Sequence, residues 1–175
     1  MILTKKAFDF FRQAIGEPRL PPEGLIANID QVKQMQPSDG LLQWIDGVPP
    51  VERPPTPLLD LQQVQAAHLW VVRAEDVVHA GERCEFGDSL ESGVIKHTNL
   101  TGGAAAYSGG ELVFLSDGTI VVNGCSGRYG PRSKAELDSV ARAFAQSGYG
   151  VWSMGFDEET NRPARFVGAF PEWVE

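Results

Sequence analysis

The sequence predicts an α+β fold: a largely antiparallel sheet packed by one long capped helix, with a short helical N-terminal part. Three observations predict it. Ser133-Lys134-Ala135-Glu136 is a capping box opening a segment whose Leu137, Val140, Ala141 and Phe144 form one apolar stripe, ended by Gly148. Residues 112–115 and 119–122 flank Ser116-Asp117-Gly118, where Asp-Gly supplies the positive φ that a tight hairpin turn needs. Apolar runs lie both before and after the single long helix, so helix and strands segregate rather than alternate.

In chain order, residues 4–15 place Phe8, Phe11 and Ile15 at i, i+3 and i+7 before Gly16, which reads as an amphipathic helix with its stop. Residues 25–35 and 41–45 read as two further short helical pieces. The stretch 47–57 holds five of the twelve prolines, too many for a helix or a central strand. It is therefore an extended connector, dividing residues 1–57, a helical segment plus connector, from an α+β core at 58–175 within one compact domain. HLWVVRA (68–74), GVIKHTNL (93–100) and GVWSMGF (150–156) read as strands from their β-branched and aromatic content. The acidic run 157–160, followed by Asn161, Arg162 and Pro163, reads as a solvated hairpin loop between strands at 151–156 and 164–167 rather than a metal cluster. The tail residues Phe166, Phe170 and Trp173 dock either within the molecule or at a dimer interface.

A chain of 175 residues with 42% hydrophobic content can bury a core without metal or disulfide staples. Its net charge of −8 offers no field for nucleic acid or an anionic membrane, so neither is expected as a partner, whereas a basic protein partner fits. MILTKKAFDFF reaches Lys5, Lys6 and Asp9 before any long apolar run, which predicts neither an export signal nor a membrane span and implies a cytoplasmic location. Cys84 and Cys125 lack C-x-x-C spacing, and His68 and His79 have no spaced partner, so no metal site is expected.

KHTNLTGG (96–103) and SGRYGP (126–131) concentrate hydrogen-bonding side chains and glycines within about forty residues. Read as a cleft, the stretch supplies Lys96 as a cation, His97 as the candidate base and Thr98, Asn99, Ser108 and Ser126 as hydrogen-bonding groups. Glu111 adds an acceptor, Arg128 a forked cation and Tyr129 a stacking surface. Arginine and lysine beside glycine-loop N–H groups are what a phosphate needs. A second reading is equally compatible: His97 as a structural hydrogen-bonding residue, the glycine pairs as turn devices, Glu111 as a salt-bridge partner and Tyr129-Gly130-Pro131 as a steer into the capped helix. No Walker-type or G-x-G-x-x-G phosphate loop and no G-x-S-x-G elbow is present.

The order of residues from 96 to 131 resembles a module shared by plant calmodulin-binding proteins with an IQ motif and by bacterial effectors and toxin domains, some of them AMPylating enzymes. Its pattern runs H-S-x-L-x-x-G, then A-G-E, then a hairpin, then S-G-H-Y-x-P-E. His97-Thr98 falls on H-S, Gly109-Gly110-Glu111 on A-G-E, and Ser126 to Pro131 on S-G-H-Y-x-P. The resemblance implies an anionic ligand, with ATP as the candidate cofactor. The histidine and glutamate of the H-x-x-x-E signature are Arg128 and Arg132 in this chain, and a guanidinium stays protonated, so that acid/base pair is lost. The expectation is a protein that binds a nucleotide-like anion through Lys96, Arg128 and Arg132, with catalysis lost or rebuilt on His97. The alternative is a protein-binding module: an immunity protein, a chaperone or adaptor, or a regulatory subunit.

Overall fold

The computed structural model describes residues 3–175, with side chains from residue 6 onward. The expectation about an export signal rests partly on residues 1 and 2, which lie outside the described residues. The fold is α+β, as the sequence predicts. Helix α1 (Leu3–Ile15) comes first, then strand β1 (Leu42–Gln43), helix α2 (Leu61–Gln65), β2 (His68–Val72), β3 (Val77–Gly81) and helices α3 (Glu85–Asp88) and α4 (His97–Thr101). The hairpin of β4 (Ser108–Phe114) and β5 (Thr119–Asn123) leads into α5 (Lys134–Gln146), and β6 (Gly150–Ser153) follows. Two residues each form β7 (Phe156–Asp157) and β8 (Arg162–Pro163), and β9 (Glu172–Val174) closes the chain.

Seven strands make one sheet in the order β1-β3-β2-β4-β5-β6-β9; every pairing is antiparallel except β5 with β6. That parallel pair needs a crossover, and α5 provides it. Gly118 takes a φ of 86° in the turn between β4 and β5, the conformation Asp-Gly was expected to supply.

The period of two along the strands divides the core between two faces. On one face Trp70, Val72, Leu112, Ile120, Val122 and Val151 meet Phe8 and Phe11 of α1 and Leu137, Val140 and Phe144 of α5. Phe144 is the hub, with edge-on contacts to Phe8, Trp44 and Trp70 at ring separations of 5.1, 4.8 and 5.3 Å. Each such buried side chain contributes on the order of 1.5–3 kcal/mol. On the other face Leu69, Val71, Val78 and Ala80 pack against Ile95, Leu100, Met35 and Tyr129. Further along the same face Val113, Val121 and Trp152 pack against Met154 and Phe166.

The cap on α5 is made half as expected. Ser133 Oγ accepts the Glu136 N–H at 3.1 Å, but the Glu136 carboxylate turns to the Arg132 N–H (2.7 Å) and the Arg19 guanidinium (3.1 Å) instead of back to Ser133.

Three expectations are corrected. Residues 25–35 hold only a 3-10 turn, Ile29–Val32, because their carbonyls are taken by side chains from elsewhere: Asn99 Nδ2 donates to the Asp30 and Lys33 carbonyls at 2.7 and 2.8 Å, and Thr98 Oγ1 donates to that of Gln31. Residues 41–45 contain an edge strand rather than a helical piece, since Leu42 and Gln43 pair with His79 and Val78 of β3. The predicted strand at 93–100 is instead α4, whose five residues are all buried and whose first turn is fixed by the Lys96 N–H donating to Asn99 Oδ1 at 2.7 Å.

The proline-rich stretch is irregular, as its composition requires, and is tied to the core at Gly47, whose N–H donates to the Ser147 carbonyl at 3.2 Å, and at Arg53, which lies over the Trp152 ring. The acidic run turns within the separate β7–β8 ribbon, while β6 stays in the main sheet. In the tail Phe166 is buried, Trp173 packs edge-on to Trp152 at 5.0 Å, and Phe170 stays exposed.

Candidate functional site

Where β4 and β5 part, the second sheet face is left partly uncovered. Glu111 still pairs with Asn123, but beyond it the strands diverge and Asn123 takes over the hydrogen bonding: its Oδ1 accepts the Glu111 and Cys125 N–H groups at 2.9 and 3.0 Å. Its Nδ2 donates to Glu111 Oε1 at 3.1 Å, so one side chain both ends the ladder and fixes a carboxylate. The gap opens into a cleft of about 940 Å³, walled by the loop after α1, residues 95–97 before and at the start of α4, the turn after β5, and the segment 162–167.

Of the residues expected to act together, Lys96, His97, Glu111, Ser126 and Arg128 line this cleft. His97 sits on its wall, nearly enclosed, with Nε2 2.8 Å from the Gly110 carbonyl. A carbonyl only accepts, so Nε2 carries the hydrogen. The imidazole pKa is lowered to about 4, chiefly by burial and in smaller part by the positive charges of Arg128 and Lys96, against the effect of that hydrogen bond. His97 is thus a neutral donor that holds the end of β4.

The remaining expected residues lie elsewhere. Thr98 and Asn99 are fully buried and spend their side chains on the loop at 30–33. Tyr129 presents no open ring face for stacking, being 1% exposed, with its hydroxyl bonded to Thr101 Oγ1 and the Ala104 carbonyl at 2.8 and 2.7 Å. Ser108 is fully buried, and its hydroxyl has no hydrogen-bond partner. Arg132 is exposed and does not line the cleft.

The structure adds groups that sequence reasoning did not place there: Arg19, Glu82, Cys125, Arg162 and Arg165. The cleft therefore gathers five basic side chains, Arg19, Lys96, Arg128, Arg162 and Arg165, against two acidic ones, in a chain whose net charge is −8. Arg19 is paired with Glu136 at 3.1 Å, but Lys96, Arg128, Arg162 and Arg165 form no ion pair within 4 Å among the described residues. Arg128 instead donates through Nη2 to Gln31 Oε1 at 3.0 Å, which moors the loop beside the cleft, and its buried Nε has no partner. Nothing local in the sequence marks Arg19, Arg162 or Arg165, because more than a hundred and forty residues separate the first from the last two and only the fold joins them.

Burial holds the Glu111 carboxyl above the usual carboxylate range, against the Asn123 hydrogen bond; neighbouring Glu82 raises it and Arg165 lowers it. Burial also pushes the Cys125 thiol up to about 11, with Glu111 adding to the effect, so the thiol stays protonated near neutral pH and is a poor nucleophile. Among the described residues no three His, Cys, Asp or Glu side chains form a group that could hold a metal ion, and no helix is long and apolar enough to cross a membrane.

Compared with protein-family models, curated proteins and solved structures, the chain matches none.

Proposed function

We propose that the chain binds an anionic small molecule, a nucleotide among the candidates, in the cleft between α4, the turn after β5 and the segment after β7, with the acid/base chemistry of the module it resembles lost or diverged. The observation that carries this reading is the concentration of five basic side chains in one cleft of an acidic protein, four of them without a carboxylate partner. Forked guanidinium donors suit phosphate and carboxylate oxygens. The reading as a binding protein is supported by Arg128 and Arg132 standing where the module carries its acid/base pair, and by a His97 that is neutral and already donating.

The test is the thermal midpoint of the chain with and without ATP, alongside a variant carrying Lys96→Ala and Arg128→Ala. Ligand at about a hundred times its Kd adds about 2.7 kcal/mol, a rise of about 5–10 °C for a domain of this size. The wild type is expected to rise and the double variant not to. A wild type that does not move with ATP or with pyrophosphate defeats the proposal and turns attention to protein contact, for which the exposed Val48 and Val51 of the connector and Ile45 and Leu58 beside it are the first surface to change.

A further inference from the structure

The cleft is not uniformly basic, and the way its charges are distributed narrows what it accepts. Lys96, His97 and Arg128 line it together with Glu82, Glu111, Cys125 and Arg165. The two sets are laced by backbone: the Ile95 N–H, one residue before Lys96, donates to the Glu82 carbonyl at 3.1 Å, and His97 Nε2 donates to the carbonyl of Gly110, one residue before Glu111. A ligand in the cleft therefore meets cationic donors and carboxylate acceptors side by side.

Glu111 is set up to be such an acceptor. Its Oε1 is held by Asn123 Nδ2 at 3.1 Å, and the same Asn123 is anchored through Oδ1 by two backbone N–H groups, so the carboxylate is fixed before any ligand arrives. Oε1 is committed to Asn123, and Oε2 has no hydrogen-bond partner among the described residues. Glu82 brings a second carboxyl to the same cleft, and Arg165 favours the charged form of Glu111, so what Oε2 can still take from a ligand is a hydrogen-bond donor. Fixed carboxylates commonly accept from sugar hydroxyls, as the acidic residue of dinucleotide folds does from a ribose.

We infer that the ligand of this cleft is a phosphate ester of a polyhydroxylated carbon skeleton, such as a sugar phosphate or the ribose phosphate part of a nucleotide. Lys96 and Arg128 take the phosphate, and Glu111, positioned by Asn123 with Glu82 beside it, accepts from the hydroxyls. This rests on the anion-binding reading above and adds the second half of the ligand to it. Glu111 acts as a specificity-determining residue: a site built to hydrogen-bond hydroxyls discriminates against an analogue that lacks them, because the bound analogue covers the acceptors without pairing them.

The experiment is calorimetric titration of the full chain with ribose 5-phosphate and with ethyl phosphate, two phosphate monoesters of which only the first carries free hydroxyls. Wild type is expected to bind ribose 5-phosphate at least about tenfold more tightly, an expectation in line with hydroxyl-reading sites. Glu111→Ala is expected to abolish that preference while leaving ethyl phosphate within about twofold, and Glu111→Gln, which keeps a carbonyl for Asn123 should the alanine variant fold poorly, to reduce it. Equal affinity of wild type for the two esters, or an equal loss of both in the Glu111 variants, overturns the inference and leaves the anion site standing. Binding of neither ester overturns this inference and the anion site together.

Discussion

One face of the sheet is closed by two helices of thirteen residues each, α1 and α5; the other is closed by the five-residue α4, irregular chain and the C-terminal tail, and it is this second face that holds the cleft. The helical face is apolar and aromatic, organised around Phe144. The irregular face is held by side chains that bond to backbone: Asn99 and Thr98 to the loop at 30–33, His97 to Gly110, Tyr129 to Ala104, and Asn123 to Glu111 and Cys125. The difference teaches where a small domain can place a polar site. The helices bury the charged groups they carry, Arg12 and Glu136, against fixed partners, whereas a surface closed by individual hydrogen bonds can end wherever one residue stops the ladder, and Asn123 stops it at the cleft.

The largest test of this division falls where the two faces meet, at Gly110. A Cβ there would lie 2.0 Å from the Asn123 carbonyl oxygen and 2.8 Å from the Trp70 ring, so it would press at once on the strand end and on the aromatic core. Overpacking of this kind costs about 1–3 kcal/mol and occasionally more, and because backbone rather than a flexible side chain is struck, Gly110→Ala is expected at or above the top of that range by urea unfolding. A loss below about 1 kcal/mol would mean that β4 and β5 separate freely at this point, contrary to the role given to Asn123.

Next in size is the response to acid, which reaches both faces through buried histidines. His97 on the irregular face and His79 on the helical face each have a pKa lowered to about 4, burial being the chief cause in both. His79 stands with its Nδ1 2.9 Å from that of His68, whose pKa burial also lowers. Because the folded values lie below the unfolded value of 6.5, the unfolded chain binds more protons between about pH 6.5 and 4. Stability is accordingly full above that window and falls as the pH is lowered through it, by about 1.4 kcal/mol per pH unit for each proton taken up. His97→Gln retains an N–H for Gly110 and should make the fall shallower by about one proton, measured as the unfolding free energy against pH. An unchanged slope would mean that His97 is charged in the fold.

How much of this was legible in the sequence follows the same division. The capped α5 and the Asp-Gly hairpin were readable because a period of 3.6 or 2 and a turn residue are local signals that the helical face then reinforces. The helix α4 was misread as a strand, because its β-branched and apolar neighbours favour strand while its conformation is set by Asn99 bonding to residues more than sixty positions away. The cleft was half legible: Lys96, His97, Glu111, Ser126 and Arg128 sit in one short stretch, but Arg19, Arg162 and Arg165 reach it from chain segments that no spacing connects. From the sequence Arg162 reads only as a flank of a solvated acidic loop, and Arg165 falls within the strand expected at 164–167, since nothing in the sequence indicates that the β7–β8 ribbon folds toward the end of β5.

That pair gives the smallest effect expected on stability and the sharpest contrast with Gly110. Arg162 and Arg165 are exposed and make no ion pair within 4 Å among the described residues, so Arg162→Ser with Arg165→Ser should leave the urea midpoint within about 0.5 kcal/mol of wild type. The same double variant should reduce the rise in thermal midpoint that ATP gives, because removing two cations from the cleft weakens its field for an anion without touching a packed atom. A double variant that is markedly less stable would show that these arginines pin the ribbon to the sheet. Their place in the cleft would then serve the closing of the irregular face, and the count of basic groups free to meet a ligand would fall to Lys96 and Arg128.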